Sequence, residues 1–424
     1  MKLLKRLVML CLCLALVAAS ACAENVTELY SGEGDTYLYY DRTLPDGRLL
    51  LCGIREGSDF LTGSYRKAWL KCLNTDRTVS WEWLDGDGGE DWIVHAAVTK
   101  DKNIAVVFRR FGEDDNDRII VKFLNMDGEP TGNELSIPMG SGSLWPDYAT
   151  TSYFWLENQI EMPGEKDENG NPVYGFEMET RDWDGNLVEV SEKYGTFYEP
   201  RYIRETEKGI LLFGSDKEEK GHAKILKKDS LQGKTLWENT FDFWWPEAEE
   251  ATLTHVMDLE DGNFLCRIYE RGPGEAESAE TRDYLVKLDG KGRVIWSIDC
   301  SDNEKEIKYA MAVHDGKIVM YTVPPCKDYI PLGKTPVTFR WYDLDGRELG
   351  TTELEVKLEY FPALQEYMAG QKTDEVWDYS FDGMELISME DGLWGMTWGV
   401  IYEEVDAVQD FPFGEVVLIK IPEL

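Results

Sequence analysis

Seven short turns recur along this chain at near-constant spacing, and that period constrains the fold more than any other feature. The turn positions are Gly47, Lys102, Asn158, Gly209, Gly262, Gly316 and Gly383, separated by 51 to 67 residues. Flanking segments align without gaps. "DGNFLCRIYERG" (Asp261 to Gly272) falls on "DGRLLLCGIREG" (Asp46 to Gly57), and "HVMDLEDGNFL", from His255, falls on "HAAVTKDKNIA", from His95, and on "YAMAVHDGKIV", from Tyr309. A second motif follows in each unit, as in "WLKCLNTDRTVSWEW" and "VKFLNMDGEPTGNEL". Asp-Gly and Asn-x-x-Gly turns favour tight hairpins because glycine accepts positive φ without steric cost. Each unit therefore reads as four short strands: a, turn, b, a longer loop, c, turn, d.

Four antiparallel strands repeated seven times, with no sustained helical periodicity, predict an all-β fold, a seven-bladed β-propeller of four-stranded blades. The last unit ends after "VVLIKI" (Val416 to Ile421), one strand short, whereas "VTELY" (Val26 to Tyr30) has the alternation of a d strand ahead of the first unit. The expectation is that this N-terminal strand pairs with the C-terminal blade and closes the ring, so that residues 24–424 form a single domain.

"LDGKGRVIW", "DSLQGKTLW" and, more loosely, "NTDRTVSWEW" resemble the repeat of quinoprotein-like (PQQ-type) propellers: an apolar strand, an Asp, then Gly-x-x-x-Trp. A sialidase-type Asp box places the tryptophan three residues after the glycine instead of four. The resemblance covers the blade scaffold along most of the chain, with the tryptophan in three of seven units. It implies that Trp81, Trp237 and Trp296 dock on neighbouring blades. The quinone-dependent members hold their cofactor against a disulfide between adjacent cysteines, and this sequence has no Cys-Cys pair. The resemblance is therefore to the non-catalytic members, and implies no cofactor and no catalytic residue.

The first 23 residues read as a secretory signal peptide. Lys2, Lys5 and Arg6 precede an apolar run from Leu7 to Ala19, too short to span a bilayer, and Ala21-Cys22-Ala23 offers a small-x-small cleavage site. Cys22, preceded by Ala19-Ser20-Ala21, is an alternative site for a lipid anchor. No later segment approaches eighteen apolar residues, so no transmembrane segment is expected. Beyond the signal stand Cys52, Cys72, Cys266, Cys300 and Cys326. An odd count without a CxxC spacing excludes a disulfide framework and structural zinc. Cys52 and Cys72, on neighbouring strands, are a candidate bridge. A formal net charge of −37 repels nucleic acid and anionic lipid surfaces. The expected location is secreted or cell-envelope associated.

In this topology the b–c and d–a loops lie at one end of each blade. The b–c loops are acidic ("FGEDDNDR", "PGEKDENGNP", "GSDKEEKGH", "GPGEAESAE"), while the d–a loops are aromatic. Indoles beside carboxylates suit sugar rings or cationic peptide segments. The candidate ligand-binding residues are Trp145, Trp244, Trp245 and, in the seventh b–c loop "DGLWGMTWGV", Trp394 and Trp398. Trp92 and Trp377 read as wedges between blades. His95 and His255 occupy equivalent positions in a strands and read as core or channel-lining. His222 and His314 have no ligand-type company nearby in sequence. Two groups offer oxygen ligands for calcium: Asp85, Asp87, Glu90 and Asp91, and Asp167, Glu168 and Asn169. Neither has EF-hand spacing, and such turns are ordinary hairpin chemistry. Ser141 in "MGSGSL" is no nucleophile elbow, since no helix follows it, and no HExxH or phosphate-binding loop occurs. The expected function is an exported binding or scaffold protein recognising a glycan or an envelope protein. A propeller glycoside hydrolase or lyase using channel-mouth acids, and a purely structural surface protein, are the alternatives.

Overall fold

The computed structural model describes residues 26–424 except 34–36, 60–62, 87–89, 113–116, 140–142, 167–171, 193–196, 207–208, 217–221, 229–234, 275–278, 302–305, 324–329, 332–335, 371–377, 406–407 and 411–412. The signal segment, Cys22, Ser141, Cys326 and Trp377 thus lie outside the described residues. The chain divides into two compact units, Tyr37–Ser301 and Asp302–Leu424, the latter joined by the N-terminal segment through Thr36.

The N-terminal segment carries β1 (Val26–Glu33). The Tyr37–Ser301 unit then holds five antiparallel sheets, each of four consecutive strands. Sheet I is β2 (Tyr37–Thr43), β3 (Leu49–Asp59), β4 (Gly63–Leu73) and β5 (Val79–Leu84). Sheet II is β6 (Glu90–Val98), β7 (Ile104–Phe111), β8 (Arg118–Leu124) and β9 (Pro130–Pro138). Sheet III is β10 (Ser143–Ala149), β11 (Tyr153–Lys166), β12 (Pro172–Asp182) and β13 (Leu187–Glu192). Sheet IV is β14 (Phe197–Thr206), β15 (Gly209–Asp216), β16 (Ala223–Lys228) and β17 (Thr235–Phe241). Sheet V is β18 (Glu250–Asp258), β19 (Phe264–Arg271), β20 (Thr281–Leu288) and β21 (Val294–Asp299).

The second unit holds sheets VI and VII. Its strands are β22 (Glu306–His314), β23 (Lys317–Val323), β24 (Ile330–Pro331), β25 (Pro336–Asp343), β26 (Glu348–Glu355), β27 (Asp378–Met389), β28 (Gly392–Val405), β29 (Val408–Asp410) and β30 (Phe413–Lys420). Sheet VI is β22-β23-β25-β26, and sheet VII runs β1-β30-β28-β27-β24 with β29 on β28. The seven sheets make the fold an all-β, seven-bladed β-propeller. β1 pairs antiparallel with β30, Val26 opposite Ile419 and Glu33 opposite Phe413.

The c–d turns repeat because one side chain organises each. Asn125, Asp182, Asp289 and Asp343 open these turns, and the Oδ1 of each accepts backbone N–H groups two and four residues on. The fourth turn residue is left-handed, at φ 81° in Gly128 and φ 75° in Gly292. Arg77 (φ 68°) adopts it without glycine, as does Lys102 (φ 60°) in the a–b turn of sheet II.

Within the first unit, tryptophans fasten sheet to sheet as the repeat implies. The Trp81 indole donates to the Met126 carbonyl at 3.1 Å. A Cβ at Gly128 would lie 2.5 Å from Trp81 Cδ2. Trp237 meets the sheet V turn likewise, 2.6 Å from a Cβ at Gly292. Trp296 has a buried Nε1 with no hydrogen-bond partner among the described residues.

Four local features depart from the expectations. The a–b turn of sheet VII is Glu390–Asp391, with Met389 opposite Gly392, not Gly383, which falls in β27. Trp394 and Trp398 therefore stand on strand β28 and not in a b–c loop. A helix, α1 (Pro362–Gly370), follows β26 and packs on β28 and β30 with Phe361 and Leu364 buried. Cys52 and Cys72 are buried and not joined in a disulfide, each opposite a leucine, so they serve as small core side chains.

Candidate functional site

The first strands of sheets I to V each carry a one-residue register shift at an equivalent place: Leu38/Tyr40, Trp92/Val94, Pro146/Tyr148, Pro200/Tyr202 and Leu253/His255. A bulge increases local twist and re-aims the side chains beside it. In β6 it lies between Trp92 and His95. His95 donates a hydrogen bond to the Pro146 carbonyl, and burial pushes its pKa down to about 4, so the ring is neutral.

Around this bulge three aromatic rings and two guanidinium groups interleave. Trp92 meets Phe111 edge-on at 5.7 Å, and Phe111 meets Trp145 at 6.1 Å. Arg109, bonded to Asp117 at 2.7 Å, lies 3.6 Å over the Trp145 ring and 4.3 Å over Phe111. Arg66 lies 4.0 Å over Trp92. Cation–π contacts of this kind occupy the indole faces from within the protein.

Next to these rings sits a buried charge cluster between sheets I and II. Asp91 is fully buried and accepts the Ala68 amide at 3.0 Å and Arg110 Nε at 2.8 Å. Burial outweighs both donors and pushes its pKa up to about 6. Asp85 accepts Lys122 Nζ at 2.6 Å and a second guanidinium nitrogen of Arg110. Two of the four carboxylates offered for calcium thus face protein cations. Glu90 is exposed, and Asp87, Asp167, Glu168 and Asn169 lie outside the described residues.

A second aromatic group is built where β17 passes to β18. Glu270, fully buried on β19, accepts the backbone amides of Trp244 at 2.8 Å and Trp245 at 2.9 Å, and so fixes the connection. Burial raises its pKa against the pull of those amides. Trp245 is 6 % exposed, its ring in the core between sheets IV and V, with Arg282 4.7 Å over it. Trp244 is half-buried. It stacks on Phe241 at 6.1 Å and 27° and lies 5.6 Å from Tyr284. Phe243 beside it meets the His222 ring edge-on at 4.4 Å.

The five candidate tryptophans stand on different elements of the two units. Trp145 belongs to sheet III, and Trp244 and Trp245 to the sheet IV–V connection. In the other unit, Trp394 is 0 % exposed and donates to Asp391 at 3.1 Å, while Trp398 is half-buried. Buried rings such as Trp245 and Trp394 offer no open face. Trp244 combines partial exposure with an aromatic platform.

Sequence reasoning left His314 without company, and the fold supplies it. His314 Nδ1 lies 2.8 Å from Ser388 Oγ, and Nε2 lies 3.4 Å from Glu423 Oε1. Donor atoms of His314, Asp315 and Glu423 all lie within 4.8 Å of one another, a grouping able to hold a metal ion. The partners come from three distant segments, so no local motif announces them.

No family model and no curated protein matches the sequence. Among solved structures, the chain is similar to a quinohemoprotein alcohol dehydrogenase from Comamonas testosteroni, at 10 % identity over 95 % of this chain and 78 % of that one, TM-score 0.42. It is similar to a NanB sialidase variant from Streptococcus pneumoniae, at 9 % identity over 94 % of this chain and 70 % of that one, TM-score 0.42. A phage phi92 endosialidase gives 10 % identity over 94 % and 69 %, TM-score 0.40. At these values the likenesses carry no residue, substrate or cofactor across, and the PQQ-type repeat family is not assigned. No described helix is long and apolar enough to cross a membrane.

Proposed function

We propose that this protein is an exported carbohydrate-binding protein whose contact surface centres on Trp244, and not a hydrolase. The observation that carries this reading is the state of the buried acids. Asp85, Asp91, Asp216, Glu270, Asp283 and Glu415 each accept from a cation or a backbone amide of the scaffold. A glycosidase needs an acid and a base both turned toward substrate. Among the described residues, the acids with raised pKa, Asp91, Glu270 and Glu415, hold loops and seams instead.

The choice of a sugar over a cationic peptide rests on the arginines. Arg66, Arg109 and Arg282 already occupy the faces of Trp92, Trp145 and Trp245. Trp244 is backed by Phe241 and Tyr284, an apolar platform of the kind on which a pyranose ring stacks. The net charge of −37 disfavours anionic partners. Export through residues 1–23, with or without a lipid anchor on Cys22, would present this surface to envelope or extracellular glycans. The test is a glycan array probed with the full chain and with Trp244→Ala. Retention of neutral or basic glycans that the variant loses supports the reading. Cleavage of an arrayed glycan, or retention of peptides alone, would overturn it.

A further inference from the structure

We propose that His314, Asp315 and Glu423 form a binding site for one divalent transition-metal ion of the Zn²⁺ or Co²⁺ type. The site stands independently of the carbohydrate reading. His314 ends β22, more than nine-tenths buried, and Asp315 and Gly316 make the two-residue turn to β23 at φ 48° and 66°. Two successive positive φ angles are those of a type I′ hairpin, which fixes the direction of the Asp315 side chain beside the imidazole.

Glu423 arrives from the C-terminal segment, which is held at several points. Ile421 donates to the Leu393 carbonyl at 2.9 Å, and Thr352 Oγ1 donates to the Pro422 carbonyl at 2.7 Å. Leu424 packs over Gly350, its Cδ2 3.2 Å from where a Cβ would stand. The Leu393 amide reaches Glu423 Oε1 at 3.3 Å. The carboxylate is thus placed against the ring and not left to wander.

Two features distinguish this group from an ordinary acidic patch. First, Ser388 Oγ at 2.8 Å from Nδ1 can accept that N–H, which leaves the Nε2 lone pair directed at Glu423. A metal-ligating histidine has this arrangement, one nitrogen oriented by an outer partner and the other free to coordinate. Second, among the described residues no lysine or arginine makes an ion pair with Asp315 or Glu423: the Lys420 ammonium, which like Glu423 stands beside Gly392, donates to the Asp391 carbonyl at 2.8 Å. One nitrogen and two oxygen donors suit Zn²⁺, Co²⁺ or Mn²⁺, whereas Ca²⁺ and Mg²⁺ prefer oxygen alone. Three protein ligands leave coordination positions for water.

The test uses the full chain, stripped with chelator and titrated with Zn²⁺ by calorimetry and with Co²⁺ by visible absorption. One tight equivalent is expected, with cobalt d–d bands, undisplaced by excess Ca²⁺. Glu423→Gln and His314→Ala should each weaken it at least about tenfold, and Ser388→Ala about tenfold through loss of ring orientation. Weak binding to the many surface carboxylates persists in every variant and does not count. Absence of a tight equivalent overturns the proposal, as does a Glu423→Gln variant that binds like the parent. Glu423 is itself exposed and outside the core, so that variant decides the matter even if His314→Ala fails to fold.

Discussion

Two clusters of acids among the described residues are balanced in opposite ways. At the seam of sheets I and II, Asp85 and Asp91 meet Arg110 and Lys122, cations carried on the neighbouring strands β7 and β8. Beside the β22–β23 turn, Asp315 and Glu423 meet the His314 imidazole, and the Leu393 amide reaches Glu423, with no ion pair to a lysine or arginine among the described residues. The first arrangement is complete and holds two sheets together; the second leaves its charge for something from outside. Side-chain type alone does not separate them: one cluster flanks the connection from β5 to β6 and the other a hairpin turn, and the neighbouring strands decide.

The largest expected effect follows from breaking the complete cluster. Arg110→Met leaves two buried carboxylates short of their guanidinium and should cost about 3–5 kcal/mol in urea unfolding. Adding Asp85→Asn and Asp91→Asn should recover most of that loss, because the expense lies in unpaired charge. If Arg110→Met alone is neutral, the seam is not held by these ions.

The sheet I–II seam also carries the Trp81 dock, and a pair of glycines sharpens its role. Gly128→Ala drives a Cβ into Trp81 on top of left-handed strain and should cost about 2–3 kcal/mol. Gly132 has nearly the same φ, 83°, but nothing within 4 Å of a Cβ, so Gly132→Ala should cost only about 1 kcal/mol. In a Trp81→Ala background the two should become equal, which a double-mutant cycle on thermal unfolding reads directly.

A smaller effect concerns Glu415, fully buried on β30 and accepting the Leu364 amide at 2.8 Å. Burial pushes its pKa up to about 7. Between its ordinary carboxylate range and that value the folded state binds the extra proton, so this contribution is present in acid and lost as pH rises through about 7. Glu415→Gln keeps an acceptor for Leu364 without the charge. It should match the parent near pH 4 and exceed it in melting temperature at pH 8. Equal pH slopes for both proteins would contradict this account of the buried carboxyl.

The period of Asp, Asn and Gly turns made the sheets legible, because those residues cause the turn through side-chain and φ chemistry that is local. The Gly-x-x-x-Trp spacing likewise revealed Trp81 and Trp237, since strand geometry sets where the ring falls on the next turn. The bulges were not legible: a register shift such as Trp92/Val94 is a property of pairing, visible only with the partner strand. The sheet VII turn was misplaced at Gly383 because a glycine there accompanies a register shift in β27, while the true turn is Glu390–Asp391. Helix α1 is one short segment whose reason for existing is Phe361 and Leu364 in the core, a tertiary cause. Trp245 and Trp394 looked available because burial of an indole depends on neighbouring sheets. The His314 group was invisible for the same reason, its donors meeting only after folding.

On the proposed reading, partner recognition lies on the Trp244 platform while the buried acids serve the scaffold. The most direct measurement is calorimetric titration of a glycan retained on the array into the parent, Trp244→Ala and Asp91→Asn, each checked for folding. Trp244→Ala should abolish the heat of binding while Asp91→Asn binds like the parent, with no product formed in either. Binding that survives Trp244→Ala, or turnover that disappears with Asp91→Asn, would contradict it.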